Sequence, residues 1–386
     1  MVQGAEWPKD ALRFSGSVGQ GASLVVAVKD LPLVHTTQLL PLDASGDLVR
    51  PGDFNAQAEQ VLDNLAKTLA AAGSSLSNTV KLNAYVKTME GASNLDAILA
   101  KRFSGAHKPA VTCVISELQK PDALVAIDAI ALAAASARDV RWLQTPEVYT
   151  DKGISTAAVL PAGPKIYISG MADTNALPQA TTKTLDKLIS ALVQLKGEKA
   201  DIVQLKAFLE PMTDAGVVRN EIVKFFDGKA PPLVLVEWRS PRPNPPIEIE
   251  LIAMAKGNLQ QEPESVTFLT PPGTTSTKVF SRVARVNHGT LLYFSGFYSQ
   301  KPRDGASQSR DIFEELRKMA TANGSDLEHL VKATYYVSDD QASKGLNDVR
   351  PEFLNPQRPP AASKVMVRGV GLADRTVLVD MIAVTK

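Results

Sequence analysis

Cysteine is almost missing from this chain: Cys113 stands alone in 386 residues. That excludes an intramolecular disulfide and a thiolate metal cluster. Histidine is scarce as well, and His35, His107, His288 and His329 are scattered without metal-ligand spacing. No metal site is expected. No apolar run approaches the roughly 18 residues of a membrane span. The opening MVQGAEWPKDALRF has neither a basic n-region nor an apolar h-region. A reducing cytoplasm is therefore the expected compartment, with an export signal already removed as the alternative. Charge of one sign is also lacking, since 42 Lys and Arg against 41 Asp and Glu leave a net charge of +1. Nothing in bulk drives the protein toward nucleic acid or an anionic membrane. There is no basic stripe, and no aromatic platform on which bases could stack.

What the sequence has is a repeat. Asp53–Val86 places Val61, Leu62, Leu65 and Leu69 on one helical face. Gly73 follows as a left-handed stop, and Val80, Leu82, Ala84 and Val86 then alternate as in a half-buried strand. The unit returns as Leu185, Leu188, Ile189 and Leu192, then Gly197, then Val203 to Leu205. It returns again as Ile312, Leu316 and Met319, then Gly324, then Val331 to Ala333. The glycines lie roughly 125 residues apart, which is domain spacing and not solenoid spacing. With 44% apolar and 22% charged residues, the chain can bury a core in each copy.

Taken in order, Gly16–Gly21 reads GSVGQG. It lacks both the GxGxxG and P-loop patterns and is expected to be a turn before the strand Leu24–Val28. Strand, helix and strand follow, then a helix over about Asn94–Phe103 and strands at PAVTCVISEL and Leu124–Leu132. The first domain thus reads β-β-α-β-α-β-β, an α+β arrangement with helices on one face of a sheet. Expected boundaries are 1–135, 136–256 and 257–386, the last opening on a Gln-, Pro-, Ser- and Thr-rich stretch at 257–278. Helices cover only one face of each sheet, so the other face needs a partner. Three linked copies can bury those faces around one axis, giving a monomer that acts as a pseudo-trimer, with ligand clefts between domains.

The ordered set of a Tyr-x-Ser-Gly strand, AAAGSSLSNTVKLNAYV, KPAVTCVISEL and IDAIA resembles the reactive-intermediate deaminase (RidA/YjgF) family, also known as L-PSP endoribonuclease. The resemblance covers essentially the whole chain in three copies. It implies a chorismate-mutase-like α+β fold, a trimer with its sheets inside, helices outside, and pockets at subunit interfaces. It also implies metal-free hydrolysis of enamine and imine products of amino-acid metabolism, with no cofactor.

Residue by residue the carry-over is uneven. The family's arginine in Pro-Ala-Arg-Ser pairs with the substrate carboxylate, a bidentate geometry only a guanidinium offers. The first copy has Val111 there, the third Ala362, and the second Val234 or its neighbour. The resemblance further assigns Ser169, Gly170, Ser295 and Gly296 to the pocket, with Tyr167 and Tyr293 before them. Thr37 falls in the same segment of the first copy, and Cys113 matches the family's cysteine. The acidic residue that positions water matches Glu248 or Glu250, with Asp128 and Asp380 nearby in the other copies.

Each residue has a plainer reading too. Ser169 and Ser295 bind a carboxylate or only cap a strand bend. Glu248 and Glu250 sit on an alternating strand and are expected on opposite sides, one solvated and one a cleft base. Asp128 and Asp380 point into a cleft or pair with a neighbouring domain's cation. Cys113 is a small buried hydrophobe or a nucleophile. Arg239, Arg242, Arg282 and Arg368 are candidates to replace the lost arginine or are solvated. Two functions stay open: a divergent member that binds a small carboxylate or imine-type ligand, or a deaminase with a rebuilt inter-domain cleft.

Overall fold

The computed structural model describes residues 10–19, 21–134, 138–239, 245–257 and 259–386. Arg242 lies outside them. The chain runs β1 (Leu12–Ser15), β2 (Val25–Val28), β3 (Leu33–Thr36), α1 (Phe54–Ala71), β4 (Thr79–Val86), α2 (Met89–Arg102), β5 (Ala110–Ile115) and β6 (Val125–Leu132). The same order follows as β7 (Arg141–Leu143), β8 (Ala157–Leu160), β9 (Lys165–Ala172), α3 (Leu177–Gln194), β10 (Ile202–Leu209), α4 (Ala215–Phe225), β11 (Leu233–Glu237) and β12 (Ile247–Met254). It recurs as β13 (Val266–Leu269), β14 (Val283–Val286), β15 (Leu291–Phe294), α5 (Gly305–Ala322), β16 (Leu330–Val337), α6 (Asp340–Phe353), β17 (Ala361–Met366), the short β18 (Gly369–Val370) and β19 (Val377–Val384). Each unit opens with one strand more than the sequence pattern suggests. Among the described residues no helix is long and apolar enough to cross a membrane.

The long helices begin and end for local reasons. Asp53 accepts the Ala56 amide at 3.0 Å and caps α1, and Asp304 does the same for α5 through the Ser307 amide at 3.0 Å. Past their ends Gly73 and Gly324 take φ of 74° and 80°, which glycine adopts without a Cβ penalty. The second unit departs from this. There the left-handed residue is Lys196, with φ of 66°, and not the expected Gly197. Gly197 is needed for a different reason, because a Cβ on it would lie 2.6 Å from Leu192 Cδ1. The stripe Val61, Leu62, Leu65 and Leu69 is fully buried against the sheet, and each side chain contributes about 1.5–3 kcal/mol by leaving water.

The strands make three mixed sheets, and the sheets do not follow the sequence units. The first has the order β18-β5-β4-β6-β3-β8-β7, the second β11-β10-β12-β9-β14-β13 and the third β1-β2-β15-β19-β16-β17. The opening hairpin of each unit is thus donated to another unit's sheet. The hairpin β7-β8 completes the first sheet on β3, and β13-β14 completes the second on β9. The hairpin β1-β2 pairs with β15, Val28 opposite Leu291, and so ties the start of the chain to its last unit.

Three cores lie between helices and sheets, and two more lie where the sheets meet one another. One of these inner cores joins Val26, Leu132, Leu160, Val203, Val286 and Val384, drawn from all three sheets. The other joins Tyr85, Phe208 and Tyr336, which hold corresponding places on β4, β10 and β16. The faces that carry no helices cover each other, as hydrophobic burial requires.

Candidate functional site

At three seams the end of one sheet's β3-type strand meets the β5-type strand of another. The Ser295 hydroxyl accepts the Val111 amide at 2.7 Å and donates to Ser23 O at 2.7 Å. The Ser169 hydroxyl accepts the Ala362 amide at 2.9 Å and donates to Ser281 O. The Thr37 hydroxyl accepts the Leu233 amide at 3.2 Å and donates to Leu233 O at 2.7 Å. Leu233, one residue before the expected Val234, therefore matches Val111 and Ala362. Pro232 carries no amide proton, and the ladder agrees, since Leu205, Leu82 and Ala333 face Leu233, Val111 and Ala362 in turn. All three hydroxyls are buried with both hydrogen-bonding roles spent on backbone. They staple the seams.

A wide cleft opens beside the Ser169 seam. Gly170, Met171, Ala172, Glu248, Arg282 and the loop Pro272–Thr275 surround about 550 Å³, with Asp186, Lys187 and Ser190 of α3 on the remaining side. The seam at Thr37 and Leu233 holds about 30 Å³, and there Arg219 is occupied by Asp151 at 3.1 Å. Gly170 is essential to the wide cleft, because a Cβ on it would lie 1.9 Å from Glu248 Oε1. Arg282 is anchored by Nη1 to Gly170 O at 2.6 Å and by Nε to Thr275 O at 3.2 Å. Nη2 makes no hydrogen bond to a described residue, and Glu248 lines the same cleft. Burial raises Glu248 to about 7, with Glu250 adding to the rise while Ser363, Lys332 and Arg282 oppose it. Burial also lowers Arg282, and Glu248 counters that.

The pair occurs once. Phe208, Tyr85 and Tyr336 lie opposite Glu248, Ala126 and Leu378, so the other units carry apolar side chains at the Glu248 position. At the Arg282 position, whose carbonyl takes the Ser169 amide, they carry Thr156 and Leu24.

Glu250 faces the same side as Glu248, not the opposite one, because residues two apart on a strand share a face. It reaches deeper. Lys332 Nζ lies 2.7 Å from Glu250 Oε2, the Ser363 hydroxyl donates to the same oxygen, and Ser363 Oγ accepts the Gly170 amide at 3.2 Å. Lys81, Lys206, Lys332, Asp380 and Glu250 line an inner cavity of about 40 Å³. There Asp380 pairs with Lys81 at 2.7 Å, and Asp128 accepts Asn83 at 2.9 Å and Tyr85 at 2.8 Å. The two aspartates thus face the closed interior. Lys81 and Lys332 hold matching places on apolar strands, a repeat of charge that the sequence carries as a signal of this cavity.

Other expected residues fall elsewhere. Tyr167 and Tyr293 are buried in the apolar core between the sheets and line no cleft, because their side chains alternate to the face away from the helices. Gly296 abuts Leu378, to which a Cβ would come within 2.5 Å. Cys113 lies half-buried beside the first helical core, and burial pushes its thiol up to about 12, far from a nucleophile's range. Arg368 is bound by Glu237 at 2.9 Å and Glu117 at 3.2 Å, and Arg239 is exposed. Of the described candidate arginines, Arg282 alone reaches the Ser169 seam.

The architecture is a mixed α+β assembly of three sheets and six helices whose strand-end seams carry the polar groups. The Endoribonuclease L-PSP family model matches residues 18–133 and 274–385, more than half of the chain, and the protein belongs to that family. The chain is 32% identical over 124 residues to the 3-aminoacrylate deaminase RutC of Acinetobacter baylyi, covering 32% of this chain and 98% of that protein. It is 39% identical over 94 residues to a RutC family protein of Pyrococcus horikoshii, covering 24% of this chain and 72% of that one. Among solved structures, the Rid-family protein YyfB of Yersinia pestis is similar at 29% identity, covering 29% of this chain and 86% of its own, with a TM-score of 0.28.

Proposed function

We propose that this protein is a divergent deaminase-type hydrolase with one working cleft, acting on small imine-bearing carboxylates as a monomeric pseudo-trimer. The observation that carries the reading is the presence of Glu248 and Arg282 in one cleft of about 550 Å³, a combination that the other two units lack. Val111, Leu233 and Ala362 stand where the family's arginine is expected, so Arg282 supplies the guanidinium from the entry to β14. Its outer nitrogens bind the carboxylate as a fork. Glu248, titrating near neutrality, takes a proton from water as the water oxygen bonds to the imine carbon. Glu248 returns that proton to the nitrogen, giving a carbinolamine. The new hydroxyl then gives its proton to the same nitrogen by way of Glu248 as the C–N bond breaks, and ammonia and an oxo acid leave.

The test generates 2-iminobutanoate with an amino-acid oxidase and traps it with semicarbazide. Wild-type protein is expected to lower the trapped yield, and Glu248→Gln and Arg282→Met to lose at least about tenfold of that effect. An unchanged yield at high protein concentration rejects the reading. A second reading, ligand binding without turnover, is favoured by the apolar residues at all three arginine positions. Binding of 2-oxobutanoate, seen as a thermal shift without hydrolysis, identifies it.

A further inference from the structure

We propose that Lys332 and Glu250 are a positioning pair for Glu248, coupled to it through the Ser363 hydroxyl, so that an ion pair in the closed interior decides when the cleft carboxylate carries a proton. The inference rests on the hydrolytic reading of the cleft. Its argument begins with β12, where Glu248 and Glu250 share one face and no other unit has two carboxyl groups two residues apart. Two carboxylates so close on one buried face resist ionising together.

The two carboxyl groups have different partners. Lys332 Nζ lies 2.7 Å from Glu250 Oε2, and both side chains are over nine-tenths buried. Ser363 gives its one hydroxyl proton to the same Glu250 oxygen and accepts from the Gly170 amide at 3.2 Å. Glu250 is therefore the carboxyl group held by a cation, and Ser363 stands between it and the cleft. Glu248 Oε1 lies against Gly170, whose amide donates to Ser363, and Glu250 adds to the rise of Glu248. From other elements it faces Lys332 on β16, Arg282 just before β14, and Asp186 and Lys187 on α3. Of these, Glu250 is the one anion fixed by a buried partner. The third unit provides an internal control: Asp380 matches Glu250 and is paired with Lys81 at 2.7 Å, yet Leu378 stands where Glu248 would be.

The full chain, labelled with 13C at glutamate side-chain carboxyls, is titrated by NMR, with the Glu248 resonance identified by its loss in Glu248→Gln. The wild-type midpoint is expected near 7. In Glu250→Gln it falls by about one pH unit. The double variant Glu250→Gln, Lys332→Met, which leaves no uncompensated charge, falls likewise. Asp380→Asn leaves it in place. An unmoved midpoint in both Glu250 variants, or an equal fall in Asp380→Asn, overturns the proposal. The acid limb of kcat/KM for imine hydrolysis should move with the midpoint. A moved midpoint without any hydrolysis rejects the catalytic reading and keeps the positioning pair, while hydrolysis with an unmoved midpoint does the reverse.

Discussion

Lys81 Nζ lies 2.7 Å from an Asp380 carboxylate oxygen, joining β4 of the first sheet to β19 of the third. Lys81 also donates to Thr112 Oγ1 at 2.7 Å and to Phe294 O at 2.6 Å. Breaking a buried pair leaves one charge uncompensated, so Lys81→Met is expected to cost about 3–5 kcal/mol in urea unfolding. Lys81→Met with Asp380→Leu should recover most of that loss. A single-variant cost below about 1 kcal/mol, as for an exposed pair, would reject the buried-pair account.

The same aspartate sets an acid limit. Burial works to raise Asp380, and Lys81, Lys206 and Lys332 outweigh it and hold the group below its ordinary value of 3.8. A carboxyl with a depressed folded pKa stabilises fully above its unfolded value and loses that contribution as pH falls through the folded one. Wild-type stability should therefore drop below about pH 4 more steeply than that of Asp380→Asn, read from unfolding midpoints.

Glu248 has the opposite sign. Its folded value of about 7 exceeds the ordinary 4.5, so its contribution is complete below 4.5 and drains away as pH rises to 7. Glu248→Gln should be more stable than wild type at pH 8, by on the order of 2 kcal/mol with allowance for water at the cleft mouth, and nearly equal to it at pH 4. A difference independent of pH would contradict the raised value.

Gly170→Ala tests the cleft's geometry without changing its charge. The added Cβ would meet Glu248 Oε1 at 1.9 Å, and the carboxylate is the movable end of a flexible side chain. Imine hydrolysis should fall roughly a hundredfold while the unfolding midpoint changes little. Gly296→Ala, which meets Leu378 in a seam without a carboxylate, should leave activity unchanged.

The exchanged hairpins give a prediction about assembly. The full chain is expected to run as one chain's mass in light scattering. A variant lacking residues 1–30 removes β1 and β2 and bares the β15 edge, which is a template for pairing with another chain. That variant should form larger species. A monomeric, cooperatively folded truncation would show that the hairpin is dispensable.

Much of this architecture was legible because local signals were strong. Asp53, the stripe from Val61 to Leu69, and Gly73 mark α1 in the sequence as clearly as in the structure. The hairpin exchange was not legible. Lys29 to Pro32 is as good a link to the next sheet as it is a turn back to the same one, and nothing local separates the two. The face shared by Glu248 and Glu250 was available from strand period alone, and the expectation of opposite faces misread it. The shift from Val234 to Leu233 needed the ladder, because Pro231 and Pro232 present two equally good alignments. The serines were found where polar seams occur, but only their bonding partners show that they have no hydroxyl to spare. Arg282 was one of four candidate arginines until β14 placed it on β9.

The donation of β1 and β2 to the last sheet also sets an order on biosynthesis. Residues 12–28 leave the ribosome more than 250 residues before their partner strand at 291–294. Until β15 follows, the nascent chain carries an unsatisfied hairpin, Leu12, Phe14, Val25 and Val26 among its apolar side chains. Contacts this distant in sequence form late and slowly. The waiting interval is where a chaperone, or a neighbouring nascent chain on the same message, has its opportunity to bind.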